Sequence, residues 1–115
     1  MQYNDDVTWI VELLDDRVQE ELESLPADMR ARFRRIVELI QLFGLERVNE
    51  PHVKHIEGPL WEMRMKGKDG ISRAIYVAAA ERRVVIVRVF LKKTQKTSRR
   101  DIALALERAK EVTDR

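Results

Sequence analysis

The sequence predicts an α+β fold, and two observations carry that prediction. Residues 60–91 have the character of three consecutive strands, because apolar residues recur there at strand spacing and two short polar turns divide them. Apolar residues recur at helical spacing before this stretch, within residues 15–43, and after it, within residues 98–112. The predicted order is β-α-α-β-β-β-α, with about four strands in the sheet, an N-terminal helical hairpin and a C-terminal helix.

The N-terminal part predicts one strand and two helices. Residues 7–14 contain β-branched and aromatic residues that favour a strand. From Asp15 the apolar spacing becomes that of a short helix, which Pro26 ends because its ring removes a backbone donor. A second helix is predicted over residues 27–43, and Gly44 is a natural stop after it.

In residues 45–59 the apolar residues show no regular spacing, and the segment contains two prolines and a glycine, so a loop is predicted there. His52 and His55 lie in it. Their spacing could suit a metal ion, but no third or fourth ligand stands at a suitable distance in the sequence and there is no cysteine. We therefore predict no metal site and place both histidines at the surface or in loop packing.

Each of the three core strands carries a charged residue. The first alternates between an apolar row and a charged row, which are Trp61, Met63 and Met65, and Glu62, Arg64 and Lys66. This alternation predicts one apolar and one charged face. Arg73 breaks an apolar row in the second strand, so we expect it near the strand end or at a bulge. The third strand is apolar on both faces except for Arg88, as expected of a strand inside a sheet.

The length and composition of the chain limit the class of protein that it can be. With 115 residues the chain predicts a single domain, residues 1–115. It has no cysteine, no run of apolar residues long enough for a membrane span and no N-terminal signal pattern, so a soluble cytoplasmic protein without a cofactor is expected.

Charge is divided unevenly along the chain. Residues 1–58 hold 7 Lys and Arg against 13 Asp and Glu, whereas residues 59–115 hold 15 against 7. Such a division predicts a surface that meets a polyanion. The alternative is that the two halves neutralise each other across the fold.

The positive charge of the second half gathers on the predicted strands. The residues are Arg64, Lys66, Arg73, Arg88, Lys92 and Lys93, with Glu62 among them and Tyr76 nearby. Arginine and lysine bind phosphate, so this face could hold an RNA backbone and stabilise the charge of a phosphorane-like transition state. Attack by an RNA 2′-OH also needs a proton acceptor and a donor, which Glu62, Tyr76 or a lysine of lowered pKa could supply, since no histidine is expected there. The alternative is a solvated face with Arg88 salt-bridged to Glu62.

Three segments together resemble a known family. They are Leu60-Trp61-Glu62-Met63-Arg64, Arg73-Ala74-Ile75-Tyr76 and Phe90-Leu91-Lys92-Lys93-Thr94-Gln95-Lys96-Thr97. As a set they are similar to the RelE/HigB-type toxins of type II toxin–antitoxin systems, and most similar to the phage-derived, HigB-like branch. The resemblance implies a small domain with an antiparallel sheet and a ribosome-dependent mRNA endonuclease. It also implies a cognate antitoxin, of helix-turn-helix type, in a toxin–antitoxin hetero-oligomer.

The resemblance also assigns roles to residues. The implied catalytic set is Arg64, Arg73, Arg88, Lys93 and Glu62, and the implied RNA-binding set is Lys66, Tyr76, Lys92 and Lys96. Arg64 and Arg73 match basic positions that contact mRNA phosphates in the family. Glu62 stands where some relatives have lysine, and Arg88 stands where many HigB-like relatives have histidine. The Arg88 departure removes an easy acid–base candidate.

A second hypothesis stays open beside the nuclease. The chain could be a non-catalytic binding protein on the same scaffold, either related to the gyrase-poisoning ParE toxins or an inactive phage remnant. Burial of Arg73 or Arg88 in a salt bridge would favour this binding hypothesis.

Overall fold

The computed structural model describes residues 8–48, 52–92 and 96–112. The strands are β1 (Ile10–Leu13), β2 (Val53–Glu57), β3 (Leu60–Gly67), β4 (Gly70–Ala79) and β5 (Arg83–Leu91). The helices are α1 (Asp16–Glu23), α2 (Ala27–Phe43) and α3 (Arg99–Ala109), and a 3-10 turn covers Leu45–Arg47. The α+β class, the N-terminal helical hairpin and the closing helix are confirmed.

The described strands form one five-stranded sheet in the order β1-β5-β4-β3-β2. The strands from β2 to β5 are joined by antiparallel pairings, whereas β1 runs parallel to β5. The sheet therefore has one strand more than the predicted four, and it is antiparallel except at one edge.

The extra strand is β2, which lies in the segment that the sequence predicted to be a loop. That prediction was wrong because β2 is a short edge strand whose register with β3 shifts between His55 and Glu57. Its two aliphatic residues, Val53 and Ile56, are three positions apart and pack against different apolar clusters, so the sequence shows no apolar row with a period of two.

The helices α1 and α2 begin and end close to their predicted positions, whereas α3 ends at Ala109 and not at the predicted Val112. The Asp15 side chain accepts a hydrogen bond from the backbone N–H of Arg17 at the start of α1. Pro26 precedes α2, and Gly44 ends it with a φ of 88°, a backbone conformation that favours glycine. Within the described residues, no helix combines the length and apolar character that crossing a membrane requires.

The sheet has an apolar cluster on each face. On one face, α1 and α2 cover a cluster that includes Met63, Met65, Ala74, Tyr76, Val84, Ile86 and Val89. On the other face, α3 covers a second cluster that includes Leu60, Ile75, Val77, Val85 and Val87. We call these the α1/α2 face and the α3 face. The predicted split of β3 is confirmed, because Met63 and Met65 are fully buried on the α1/α2 face.

A bulge in β5 decides which face Arg88 occupies. Tyr76 pairs with Ile86, but the preceding residue Ile75 pairs with Arg88, so Val87 is the extra residue. In regular alternation Arg88 would follow Ile86 into the α1/α2 core. The bulge instead places Arg88 on the α3 face, where carboxylates can reach it.

Candidate nucleic-acid interface

Basic side chains gather on the part of the α3 face that α3 leaves uncovered. They come from four neighbouring strand regions, since Lys54 lies on β2, Arg64 and Lys66 on β3, Arg73 on β4, and Lys92 just after β5. The carboxylate of Glu62 lies among them. We call these six residues the cationic surface.

Two small clefts connect the members of the cationic surface. A cleft of about 240 Å³ is lined by Lys54, Glu62, Arg64 and Arg73, together with Lys96 and Thr97. A second cleft of about 330 Å³ shares Arg64 and adds Lys66, Arg32 and His52. Arg64 therefore stands between two recesses whose charged walls are mainly basic.

Glu62 and Arg73 form a buried ion pair at the centre of this surface. Glu62 is 1% exposed and Arg73 is 4% exposed. Arg73 Nη1 donates to Glu62 Oε1 at 2.8 Å and to Oε2 at 2.6 Å. It also donates to the Thr97 hydroxyl at 2.6 Å, and that hydroxyl donates to Glu62 Oε1 at 2.8 Å. The expectation that Arg73 lies near a strand end or at a bulge is wrong, because it pairs directly with Arg64 inside β4 and the register shift comes after Ile75.

Arg64 and Lys92 supply positive charge beyond what Glu62 neutralises. Arg64 Nε lies 3.4 Å from Glu62 Oε2, and a third of the Arg64 side chain is exposed. The pKa of Lys92 is lowered, first because its ammonium is partly desolvated and then because the guanidinium groups of Arg73 and Arg64 repel it. The cationic surface holds five cations and one carboxylate, so it carries an excess of positive charge.

The remaining predicted RNA-binding lysines differ in their surroundings. Lys66 is exposed, and no carboxylate of the described residues lies within ion-pair distance of it. Lys96 is exposed and lines the cleft beside Glu62. Lys93 lies outside the described residues.

Arg88 belongs to a separate network and not to the cationic surface. Its Nη1 donates to Glu21 Oε2 at 2.8 Å, while its Nε and Nη2 donate to Asp101 Oδ1 at 3.0 and 2.9 Å. Arg108 Nη1 lies 2.9 Å from the same Glu21 Oε2, and the backbone N–H of Val89 donates to Glu21 Oε1. We call Glu21, Arg88, Asp101 and Arg108 the Glu21 network. The alternative in which Arg88 forms a salt bridge with Glu62 is therefore wrong.

The Glu21 network also bears on the uneven charge of the chain. Its ion pairs between Glu21 and the two arginines join the acidic first half to the basic second half. At the surface, Glu57 and Arg99 form another such pair at 2.7 Å. The two halves thus neutralise each other in part, while the cationic surface keeps an excess.

Tyr76 does not lie beside the cationic surface, and that expectation is wrong. Its side chain is 1% exposed and packs in the cluster on the α1/α2 face. Burial raises the pKa of the Tyr76 phenol. Because its neighbour Ile75 points to the α3 face, Tyr76 points away from the cations.

The sequence-based prediction missed Lys54, His52 and Arg32. The backbone N–H of Arg64 donates to the carbonyl oxygen of His52 at 2.8 Å, and His52 lines the same cleft as Arg64. The expectation of no histidine beside the cations is therefore wrong. A spacing of two between His52 and Lys54 was the available signal, because it places both on one face of a strand. In the described part of the chain, no three metal-ligating side chains come together.

A family model described as "Phage derived protein Gp49-like (DUF891)" matches residues 20–110. The chain belongs to this Gp49-like family. No curated protein sequence matches it significantly.

Two solved structures share the fold of this Gp49-like chain. The archaeal RelE–RelB complex from Pyrococcus horikoshii OT3 is 23% identical, with 73% of this chain and 94% of that chain covered and a TM-score of 0.56. A double arginine mutant of the E. coli toxin RelE, in the free state, is 16% identical, with 88% and 97% covered and a TM-score of 0.61. The Gp49-like chain therefore has a RelE-like fold.

Proposed function

We propose that this protein is the toxin of a type II toxin–antitoxin system and cleaves mRNA on the ribosome. The observation that carries the proposal is the excess of positive charge around Glu62, where Arg64, Lys92 and Lys66 are available to phosphates. The RelE-like fold and the Gp49-like family support the same function. Because the proposed target is mRNA on translating ribosomes, the proposed site of action is the cytoplasm.

In the proposed reaction the RNA 2′-OH attacks the adjacent phosphorus and the 5′-oxygen of the next nucleotide leaves. Arg64 and Arg73 stabilise the negative charge that develops on the phosphoryl oxygens, because guanidinium groups match them in shape and charge. Lys92 is the candidate for proton transfer, since its lowered pKa increases the neutral fraction that can accept the 2′-OH proton.

Glu62 is assigned a positioning role in this proposal. Both of its carboxylate oxygens already accept hydrogen bonds from Arg73, and one also accepts from Thr97. A carboxylate engaged in this way holds Arg73 in place. Arg88 likewise serves the fold, because Glu21 and Asp101 occupy its guanidinium.

The proposed partner is a cognate antitoxin. One of the structures that share the fold is a RelE–RelB complex, which supports a toxin–antitoxin hetero-oligomer for this chain as well. We expect the antitoxin to be of helix-turn-helix type, encoded next to the toxin.

The experiment that tests the proposal is inducible expression in a bacterial host with mapping of new mRNA 5′ ends. We expect growth arrest together with new in-frame ends, both lost in the double variant Arg64→Ala and Lys92→Ala. Arg34→Ala is the control, since Arg34 is exposed on α2 and its substitution removes a positive charge outside the cationic surface. Ends that persist in the double variant would overturn the assignment of this surface.

A second candidate function is a binding toxin without nuclease activity, such as one directed at gyrase. The burial of Arg73 in the ion pair with Glu62 favours it, because a guanidinium held by a carboxylate has less charge to offer a phosphate. Growth arrest without new mRNA ends would select this candidate.

A further inference from the structure

A cleft of about 640 Å³ opens on the α1/α2 face, on the side of the sheet opposite the cationic surface. Its volume is within the range of small-molecule sites. The strands β2, β3 and β4 form its base, while Trp9, Leu45 and Val48, from the residue before β1 and from the 3-10 turn after α2, form its sides. We call it the aromatic cleft, because most of its surface comes from aromatic and aliphatic side chains.

Three aromatic rings lie side by side across the base of the aromatic cleft. In the register of the sheet His55 pairs with Trp61, and Trp61 pairs with Tyr76. The rings of His55 and Trp61 have centroids 4.9 Å apart, and His55 Nε2 lies 2.9 Å from the carbonyl oxygen of Gly58, which fixes the imidazole. Trp61 is 40% exposed, so its ring is accessible to a ligand.

The hydroxyl of Tyr76 has no hydrogen-bond partner within the part of the chain that the structure describes. Tyr76 is 1% exposed and lines the aromatic cleft. Its oxygen is not fully enclosed, so the hydroxyl opens into the cleft. A buried hydroxyl without a hydrogen bond costs free energy, and a ligand that hydrogen-bonds to it removes that cost.

Glu46 gives the aromatic cleft a negative charge. Glu46 Oε1 and Trp9 Nε1 lie 2.9 and 3.3 Å from the point where a Cβ on Gly44 would stand, so the carboxylate is close to the indole. Glu46 is exposed, and no cation of the described residues lies within ion-pair distance of its carboxylate. A positive group on a ligand could therefore pair with it.

Lys54 also lines the aromatic cleft, but its charge acts on the other side of the sheet. The backbone of Lys54 pairs with that of Glu62 on the α3 face, and the charge of Lys54 contributes to the lowered pKa of Lys92. The ammonium of Lys54 thus belongs to the cationic surface. Glu46 is left as the charge that faces a ligand, so the aromatic cleft favours a cation.

We propose that the aromatic cleft binds a small organic amine, whose apolar body packs on Trp61 and Tyr76 while its ammonium meets Glu46. The faces of aromatic rings carry negative potential and attract a cation, and a carboxylate close to them strengthens this attraction. The Tyr76 hydroxyl supplies a hydrogen bond to the ligand. This site goes beyond the proposed function, because binding the amine requires neither RNA nor a ribosome.

The test measures binding of three ligands that share a phenylethyl body to the purified full chain. They are 2-phenylethylamine, 2-phenylethanol and 3-phenylpropionate, which are positive, neutral and negative at pH 7. The chain has two tryptophans and both line the aromatic cleft, so their fluorescence reports binding there. We expect the amine to bind about tenfold more tightly than the alcohol, as one cation–π and charge contact provides, and the propionate to bind most weakly.

Two variants assign the contacts. Glu46→Gln should reduce the affinity for the amine to that for the alcohol and leave the alcohol unchanged. Tyr76→Phe keeps the ring and should weaken both ligands by about fivefold, the value of one hydrogen bond. Glu20→Gln removes an exposed charge on α1 and should change neither ligand. A thermal melt of each variant shows that it is folded.

Four outcomes would overturn the amine site. Equal affinity of the wild type for amine and alcohol would mean that no cation is selected. A preference for the amine that survives Glu46→Gln would place the ammonium elsewhere, and unchanged binding to Tyr76→Phe would place the ligand outside the cleft. Binding of a lysine-containing peptide without binding of the free amine would make the cleft a protein-docking site. New mRNA ends in cells test the nuclease separately, so a chain that cuts mRNA but ignores the amine loses this site alone.

Discussion

The cationic surface and the Glu21 network both set arginines against carboxylates, but their charges balance differently. In the Glu21 network two arginines meet two carboxylates, and each charge has an opposite partner within 3.0 Å. In the cationic surface one carboxylate pairs with two of five cations, Arg64 and Arg73. An arginine in a strand is therefore a functional candidate only where cations outnumber the acids that can reach them.

The largest effect on stability is expected for Glu62→Gln. It leaves Arg73, which is 4% exposed, without its counter-charge, and breaking a buried ion pair in this way costs about 3 kcal/mol or more. Urea unfolding measures the loss. If the free energy of unfolding stayed within about 0.5 kcal/mol of the wild type, the pair would be a solvated contact and not a structural one.

Glu21→Gln should produce a smaller loss, of about 2 kcal/mol, because Glu21 is 17% exposed and water can reach its partners. Arg88 and Arg108 would keep their bonds to Asp101 and to the carbonyl oxygen of Val87. Glu20→Gln, on the exposed side of α1, is the matched control for urea unfolding. A stability equal to that of the control would contradict the structural role given to the network.

Lys92→Met should stabilise the fold slightly, by less than about 1 kcal/mol, and should abolish RNA cleavage. The stabilisation follows because the pKa of Lys92 is lowered in the folded state, so its protonated form is disfavoured there. The folded lysine loses its proton at a lower pH than the unfolded one, so the wild type gains stability as the pH rises towards about 10.5. The difference between variant and wild type, measured by urea unfolding, should shrink over that window. A difference independent of pH would show that neither desolvation of the Lys92 ammonium nor its repulsion by Arg73 and Arg64 is the cause.

Arg64→Ala should change stability least, within about 0.5 kcal/mol, because its bond to Glu62 is long and its side chain is a third exposed. Its effect should fall on binding. In filter-binding titrations at several salt concentrations, the logarithm of the RNA-binding constant should fall less steeply with the logarithm of salt, by the amount that one phosphate contact contributes. An unchanged slope would remove Arg64 from the RNA path.

Local patterns in the sequence predicted most of the fold. The helices could be predicted because Pro26 and Gly44 act on the neighbouring backbone, and β3 could be predicted because its alternation is regular. The strand β2 could not, since its two aliphatic residues, Val53 and Ile56, are three positions apart on opposite faces and leave no apolar row. Edge strands are short and half-solvated, so little else marks them.

The candidate site was predicted in its residue types but not in its pairings. Arg64, Arg73 and Lys92 come together as expected, while Arg88 does not join them. Its partner Glu21 lies 67 residues away in the sequence, and no local pattern specifies such a contact. Tyr76 was expected near the cations although alternation along β4 puts it on the side opposite Arg73, and the structure buries it on that opposite side.

Because Val87 is the extra residue of a bulge, β5 could be one residue shorter and its other side chains would still point to the same faces. Ile86 and Val89 point to the α1/α2 face and Arg88 points to the α3 face. Removing Val87 would leave this unchanged, because Ile86 and Arg88 would then be neighbours in a regular strand and would still point to opposite faces. A chain of the same family that lacks one residue here would keep the facing of the residues that follow. Sequence comparison within the family should therefore allow a one-residue gap at this point before judging which basic positions correspond.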